Sequence, residues 1–367
     1  MNSPEDKVNL FVSCAKGLES LLLEELKNLG ADDCRETVTG VTCTGNHAIA
    51  MRICLWSRLA NRVLLLLAKD RAYTKDEVFK LSSSVEWNLY FGVDKRIAVD
   101  FSGSSKDIRH TQFGAQLIKD TIVDCFRENE GKRPDVDPKN ADVRINVRLS
   151  PKNCYIGIDL GGESLHKRLY RQGHGMAPIK ENLAAALLLR ADWPALAKAE
   201  KAILDPLCGS ATILIEAAMI AADIAPGIRR ERWGFMALKS YSEQQWTEIK
   251  EEAVNRRTDG IDKLKIPIIG CEKDKNVYFQ ALDNVRNAGL ESKIRIYNNP
   301  FNAIESLELN LDDSGLAITN PPYGDRLGDV NSLSPEYQKL GEVCKSQLAG
   351  WQLAVISSNK ELLQELR

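Results

Sequence analysis

The stretch Lys201-Ala202-Ile203-Leu204-Asp205-Pro206-Leu207-Cys208-Gly209-Ser210-Ala211-Thr212 decides the fold. A short apolar run ends in an acid, passes through a glycine turn, and opens into an apolar helical pattern over 211–222. Downstream, strand signals at 267–271, 293–297, 316–319 and 351–357 are interleaved with helix signals at 274–288 and 335–348. Short apolar strands alternating with helices must be covered on both faces, so this half is expected to be a doubly wound α/β domain with a parallel sheet. In such a sheet, ligands bind where the strands end at their carboxyl side.

That rule directs attention to the residues just past each strand. Gly209 lets the backbone come close to a ligand, and the helix opening at Thr212 can receive a ligand carboxylate at its N-terminus. The loop lacks the G-x-G-x-x-G pattern that seats a dinucleotide pyrophosphate, so a methionine-bearing nucleoside suits it better than NAD. Glu272, with Lys273 beside it, ends the second strand, where a carboxylate can accept hydrogen bonds from two ribose hydroxyls. A solvated acid at a strand end is the plainer alternative. The candidate cofactor residues are therefore Asp205, Cys208, Gly209, Ser210, Ala211, Thr212, Glu272, Lys273 and Asn299. The unit is longer than a compact one because 225–264 is inserted, carrying Arg229, Arg230 and Arg232 beside Trp233.

Asn320-Pro321-Pro322-Tyr323 ends the apolar run at 316–319. The Asn320 side-chain oxygen and the Pro321 carbonyl can accept the two hydrogens of an exocyclic amine, Pro322 restricts the backbone, and Tyr323 offers a stacking face. Such a set suits a flat nucleobase whose amine nitrogen is the nucleophile. Asn-Pro-Pro is also an ordinary turn, because consecutive prolines cannot continue a central strand.

The first half reads differently. Strand and helix signals at 8–13, 17–29, 35–38, 41–44, 46–59 and 62–68 form a small α+β sandwich. Its first helix buries a leucine stripe and stops at Gly30. A second unit has a Thr74/Glu77 capping box, a strand at 96–101, a helix at 113–128, and a hairpin of strands 143–149 and 154–160 turning over 150–153. Between His166 and Lys180 lie Lys167, Arg168, Arg171 and Lys180 with no acid in between, either a solvated linker or a strip that contacts phosphates. The expected organisation is an RNA-capture region at 1–165 (subdomains at about 1–70 and 71–165), a linker at 166–180, and the α/β domain at 181–367.

Composition bounds the rest. With 367 residues, 44% of them hydrophobic, the chain can build two or three cores, and a net charge of −2 argues against nonspecific wrapping of nucleic acid. Nine cysteines without a Cys-x-x-Cys pair, and four histidines without metal-ligand spacing, predict reduced thiols and no zinc. No signal peptide or membrane span is read, so a cytoplasmic location is expected.

Taken together, the acid and glycine loop at 205–209, Glu272 and the Asn-Pro-Pro-Tyr motif resemble the S-adenosylmethionine-dependent amino-methyltransferases of the Rossmann-like class. Gly17-Leu18-Glu19, Phe101-Ser102-Gly103, Arg144-Ile145-Asn146-Val147 and Ile158-Asp159-Leu160 resemble the ferredoxin-like and THUMP modules of RNA-modifying enzymes. Adding Ala177-Pro178-Ile179-Lys180-Glu181, Ala225-Pro226-Gly227 and Arg232-Trp233-Gly234-Phe235, the whole chain is similar to the RlmL-type 23S rRNA guanine-N2 methyltransferases.

That resemblance implies S-adenosyl-L-methionine as cofactor, and 23S rRNA or an assembling large ribosomal subunit as partner. It also implies catalysis by Asn320, Pro321, Pro322 and Tyr323, with Lys167, Arg168, Arg171, Lys180 and Arg326 contacting RNA. In this family the enzyme is often the N-terminal half of a fused bifunctional protein, so the chain, which ends before the last antiparallel strands of the class, is expected to be a fragment. Where the family has an acid for the adenine amine, this sequence has Asn298-Asn299-Pro300-Phe301, so an amide or the backbone must substitute. The rival readings are an adenine-N6 methyltransferase acting on RNA or DNA and a noncatalytic RNA-binding assembly factor.

Overall fold

The computed structural model describes residues 6–151, 153–171, 179–303, 314–322 and 330–366. It divides into two compact units, one of residues 1–167 with 230–252 and the other of 168–229 with 253–367.

The first unit is built on one seven-stranded sheet in the order β2-β3-β1-β4-β7-β6-β5. Its strands are β1 (Val8–Ser13), β2 (Asp32–Thr37), β3 (Gly40–Gly45), β4 (Arg62–Asp70), β5 (Ile97–Ser102), β6 (Val143–Leu149) and β7 (Cys154–Asp159). β6 shows how the sequence sets a half-buried strand: Val143, Ile145, Val147 and Leu149 are buried, and the polar residues between them point the other way. The two segments read as separate subdomains share this sheet, because β4 pairs antiparallel with β7 across a register shift between Leu66 and Ala68. Local sequence patterns give the strands, whereas a pairing between residues 64 and 159 is a long-range event with no local signature.

The helices of this unit are α1 (Glu19–Asn28), α2 (His47–Trp56), α3 (Lys75–Ser83) and α4 (Thr111–Glu130). The capping box at α3 is formed in both directions, with Thr74 accepting from the Glu77 N–H and Glu77 accepting from the Thr74 N–H. The strand and helix spans otherwise agree with the sequence reading to within a few residues.

The segment 230–252 packs in this unit although it interrupts the second domain in sequence. Arg230, 8% exposed, donates to four backbone carbonyls, those of Gly161 (3.1 Å), Glu163 (3.1 Å), Ser164 (2.8 Å) and Lys167 (3.2 Å). Its guanidinium also lies 5.1 Å from the centre of the Trp233 ring, and Trp233, Phe235 and Trp246 form one aromatic cluster. Gly234 is required by close approach, since a Cβ there would stand 2.1 Å from the Asp159 carbonyl oxygen. The basic cluster of the insert is thus, at Arg230, a structural clamp on chain carbonyls.

The second unit is a five-stranded parallel sheet in the order β10-β9-β8-β11-β12. The strands are β8 (Ala202–Asp205), β9 (Ile268–Cys271), β10 (Ile294–Tyr297), β11 (Gly315–Thr319) and β12 (Gln352–Val355). Successive residues feed two cores. Ile203, Ile268, Leu316 and Ile318 pack with α5 (Glu181–Arg190), α7 (Thr212–Ala221) and α9 (Lys275–Ala288). Leu204, Ile269 and Ala317 pack with Leu340 and Val343 of α10 (Val330–Gln347). Each buried leucine, isoleucine or valine among them contributes about 1.5–3 kcal/mol. This is the doubly wound α/β architecture read from the 201–212 stretch. The remaining helices are α6 (Trp193–Lys198), α11 (Lys360–Gln364) and, from Ala253 onward, the second part of α8 (Glu243–Lys263).

Candidate active site

The chain runs outward from β8 to β9 to β10, then returns to pair β11 on the other side of β8. The order therefore reverses between β8 and β11, the point where an open parallel sheet leaves a crevice at its carboxyl edge. Asp205 ends β8, Glu272 comes directly after β9, and Asn320 comes directly after β11 on the adjoining strand.

Gly209 and Glu272 are in direct contact: the Gly209 N–H donates to Glu272 Oε2 at 3.1 Å. The other carboxylate oxygen, Oε1, accepts from the Asp274 N–H at 2.8 Å. Each oxygen keeps a further lone pair for a ligand hydroxyl. Gly209 has φ +51°, and a Cβ at this position would meet nothing within 4 Å, so the turn faces open space. Beyond it Ala211, at φ 63°, starts α7 without a side-chain cap, which leaves the helix N-terminus available to an anion.

The rest of the loop is held from behind. Asn284, only 1% exposed on α9, donates to the Ser210 carbonyl at 3.0 Å. Thr212 Oγ1 accepts from Arg171 Nη2 at 2.7 Å and lies 3.3 Å from Ser210 Oγ. Cys208 is buried with Sγ directed at Gly270, where an added Cβ would lie 2.9 Å away, so only its backbone is presented to the loop. Its thiol is pushed well above the usual range by burial.

Asp205 is sealed in at 1% exposure, with Oδ1 accepting from the Leu207 N–H at 3.1 Å. Burial drives its pKa up to about 7; the neighbouring Thr319 hydroxyl and the Leu207 N–H pull it down, and the Glu272 charge adds to the rise. Its carboxyl is thus turned into the protein. Lys273 pairs with Glu336 of α10 at 2.8 Å. Asn299 is half-buried, while its neighbour Asn298 spends its amide on the Glu272 (2.8 Å) and Lys273 (3.3 Å) carbonyls.

At the third strand end, Thr319 is the last residue in the ladder and Asn320 leaves it. The Asn320 Oδ1 atom is buried and has no hydrogen-bond partner among the described residues. Pro321 is buried, and the Pro322 carbonyl accepts from the Tyr337 hydroxyl at 3.1 Å. Tyr323 and Arg326 lie outside the described residues.

Two of the four cations read at 167–180, Arg168 and Arg171, pair with buried acids. Arg168 is 3% exposed and lies 3.6 Å from the buried Glu216. Arg171 is turned inward onto Thr212, the Ile179 carbonyl at 2.9 Å and Glu181 at 3.6 Å. This corrects the expectation of RNA contact at Arg168: a guanidinium that neutralises a buried glutamate cannot also reach a phosphate. Lys167, paired with Glu163 at 3.1 Å, is exposed; Lys180 precedes α5.

Sequence reading missed Asn284 and Tyr337. Each is a polar residue on the buried side of an amphipathic helix, and the pattern that could have raised it is this mismatch between residue type and helical position.

Three family models match successive parts of the chain. Residues 168–367 match the model of the RMKL-like methyltransferase domain, 9–64 the RlmL ferredoxin-like domain, and 72–159 the THUMP domain. A ribosomal RNA large subunit methyltransferase K/L of Methylococcus capsulatus is 44% identical over 354 residues, covering 96% of this chain and 47% of that protein. The chain spans about half the length of the curated relatives it matches.

Among solved structures, a protein described as a predicted N6-adenine-specific DNA methylase from Listeria monocytogenes superposes with a TM-score of 0.85 at 29% identity, covering 98% of this chain and 91% of its own. SMU.472, solved in complex with SAH, gives a TM-score of 0.85 at 28% identity over 99% of this chain and 92% of its own. The open side of Gly209, the carboxylate of Glu272 and the uncapped start of α7 are suited to the methyl donor of such enzymes. The chain belongs to the RMKL-like methyltransferase family, whose methyl donor is S-adenosyl-L-methionine.

Proposed function

We propose that this chain methylates the exocyclic N2 of a guanine in 23S rRNA, free or in an assembling large ribosomal subunit. The observation that carries the reading is the buried Asn320 Oδ1, an acceptor with no partner among the described residues, at the switch point beside the cofactor loop. A buried acceptor left unpaired costs about 1–3 kcal/mol, a cost removed when a substrate N–H fills it.

In this reading Glu272 holds the ribose hydroxyls of the cofactor, and the Gly209 turn and the start of α7 hold its methionine end. The cofactor supplies an activated sulfonium methyl. Asn320 and the Pro321 carbonyl accept the amine hydrogens, which favours the pyramidal nitrogen reached in the transition state. With the donor bound, its methyl group would pass from sulfur to the amine nitrogen held by Asn320, and the surplus proton would leave to water, so this chain need supply no strong base. Tyr323 stacks on the base, which is splayed out of its helix to reach the crevice. Residues 1–165, with the THUMP match, supply RNA affinity through shape and phosphate contacts, aided by Lys167, Lys180 and Arg326. A ribosomal substrate implies a cytoplasmic site of action. The greater length of the relatives supports a fused second methyltransferase domain as part of this reading.

Adenine's amine would use the same acceptors, so the product decides. Purified chain, labelled S-adenosylmethionine and unmodified 23S rRNA are combined, and the nucleosides are separated after digestion. N2-methylguanosine is the expected product; N6-methyladenosine would support the adenine reading, and no transfer despite cofactor binding would support a noncatalytic assembly factor.

A further inference from the structure

Asn320 is useful as an acceptor only if the loop that carries it is fixed, and the two residues after it are prolines. Neither has an N–H, so this loop cannot be tied down by donating to a neighbouring strand. The last ladder bond at this end is from the Ile356 N–H to the Thr319 carbonyl at 3.2 Å. Past Asn320, Pro321 and Pro322 offer only carbonyls as backbone handles. One of them, on Pro322, accepts from the Tyr337 hydroxyl at 3.1 Å.

Tyr337 is 0% exposed, packed on α10 with Leu333 and Leu362. Its hydroxyl is also 3.4 Å from Ser357 Oγ, just past β12, and Ser357 Oγ accepts from the Asn359 N–H at 3.1 Å. A single buried phenol therefore ties together α10, the exit of β11 and the exit of β12. Pro322 is its target, which leaves the Asn320 amide and the Pro321 carbonyl outside this tie.

Resting on the methyl-transfer reading above, we propose that Tyr337 is a positioning residue: by holding the Pro322 carbonyl it fixes the Asn320 amide at the distance and angle the substrate amine requires. Its action is exerted through that carbonyl. A displacement of about 1 Å at such a group costs up to a hundredfold in rate.

The test is Tyr337→Phe in the full chain, which keeps the ring packing and removes only the hydroxyl. The expected kcat for methyl transfer to 23S rRNA falls roughly tenfold to a hundredfold, while the dissociation constant for S-adenosylmethionine stays within about twofold, since the Gly209 and Glu272 side of the crevice is untouched. Hydrogen exchange read by mass spectrometry should quicken in the peptide carrying Asn320 and stay the same in the peptide carrying Gly209. Unchanged exchange at Asn320 overturns the proposal whatever the activity, as does equal loss of kcat and cofactor affinity with exchange rising in both peptides. Faster exchange at Asn320 alone, in a protein whose wild type transfers no methyl group, would keep the brace and reject the methyl-transfer reading.

Discussion

Gly209 and Glu272, 63 residues apart, are joined by one hydrogen bond of 3.1 Å from the Gly209 N–H to Glu272 Oε2. The glycine turn after one strand is thereby set against the acid that ends the next, and both face the edge where a nucleoside would lie. Glu272 thus shapes the loop, and in the proposed reading it also receives the ligand.

For Glu272→Ala, cofactor affinity should weaken by about tenfold to a hundredfold, the worth of losing hydrogen bonds to a charged group. Isothermal titration with S-adenosylmethionine reads this directly. An unchanged dissociation constant would remove Glu272 from the binding role.

Asn320→Ala should show the opposite split. Turnover should drop by about a hundredfold or more, as when a preorganised transition-state contact is removed, with the cofactor dissociation constant nearly intact. Parallel loss of both in the same assays would mark a folding defect rather than a lost contact to the amine.

Asp205 predicts a pH signature. Its folded-state pKa of about 7 lies above the value of about 3.9 in an unfolded chain, chiefly through burial. A raised acid favours the folded state when protonated, so its contribution is complete below about pH 4 and is lost as pH rises towards 7. Between pH 5 and 8 the loss is about 2–3 kcal/mol. Urea midpoints for wild type and Asp205→Asn should diverge over that interval, with the variant the flatter of the two; parallel curves would refute the assignment.

Arg230→Lys should destabilise the first unit nearly as much as Arg230→Ala, by roughly 3 kcal/mol, because an ammonium cannot reach four carbonyls that a planar guanidinium bridges. Denaturant unfolding monitored by the buried Trp233 reads the effect. Rescue by lysine would show that charge alone suffices.

The strand-end placement of residues 205–212, 272 and 320–322 is legible because it depends on local order: an apolar strand, then the residue that emerges at its carboxyl end. Which strands are neighbours is set by packing, yet a repeated strand-helix pattern leaves few topologies open, so the crevice can be anticipated. The charged segment at 167–171 misleads for the converse reason. A basic residue looks the same in sequence whether it faces water or a buried glutamate, and only the burial of Glu216 decides that Arg168 is internal.

From sequence alone came the alternation of strands and helices, the capping box at Thr74 and the identity of the groups at three strand ends, each fixed by short-range periodicity or hydrogen bonding within a few residues. Tertiary structure alone decided that β4 and β7 merge two segments into one sheet, that 230–252 packs in the first unit, and that Tyr337 and Asn284 brace the loops. Those are contacts between residues far apart in the chain, and their energy lies in burial and partner satisfaction, which no local pattern encodes.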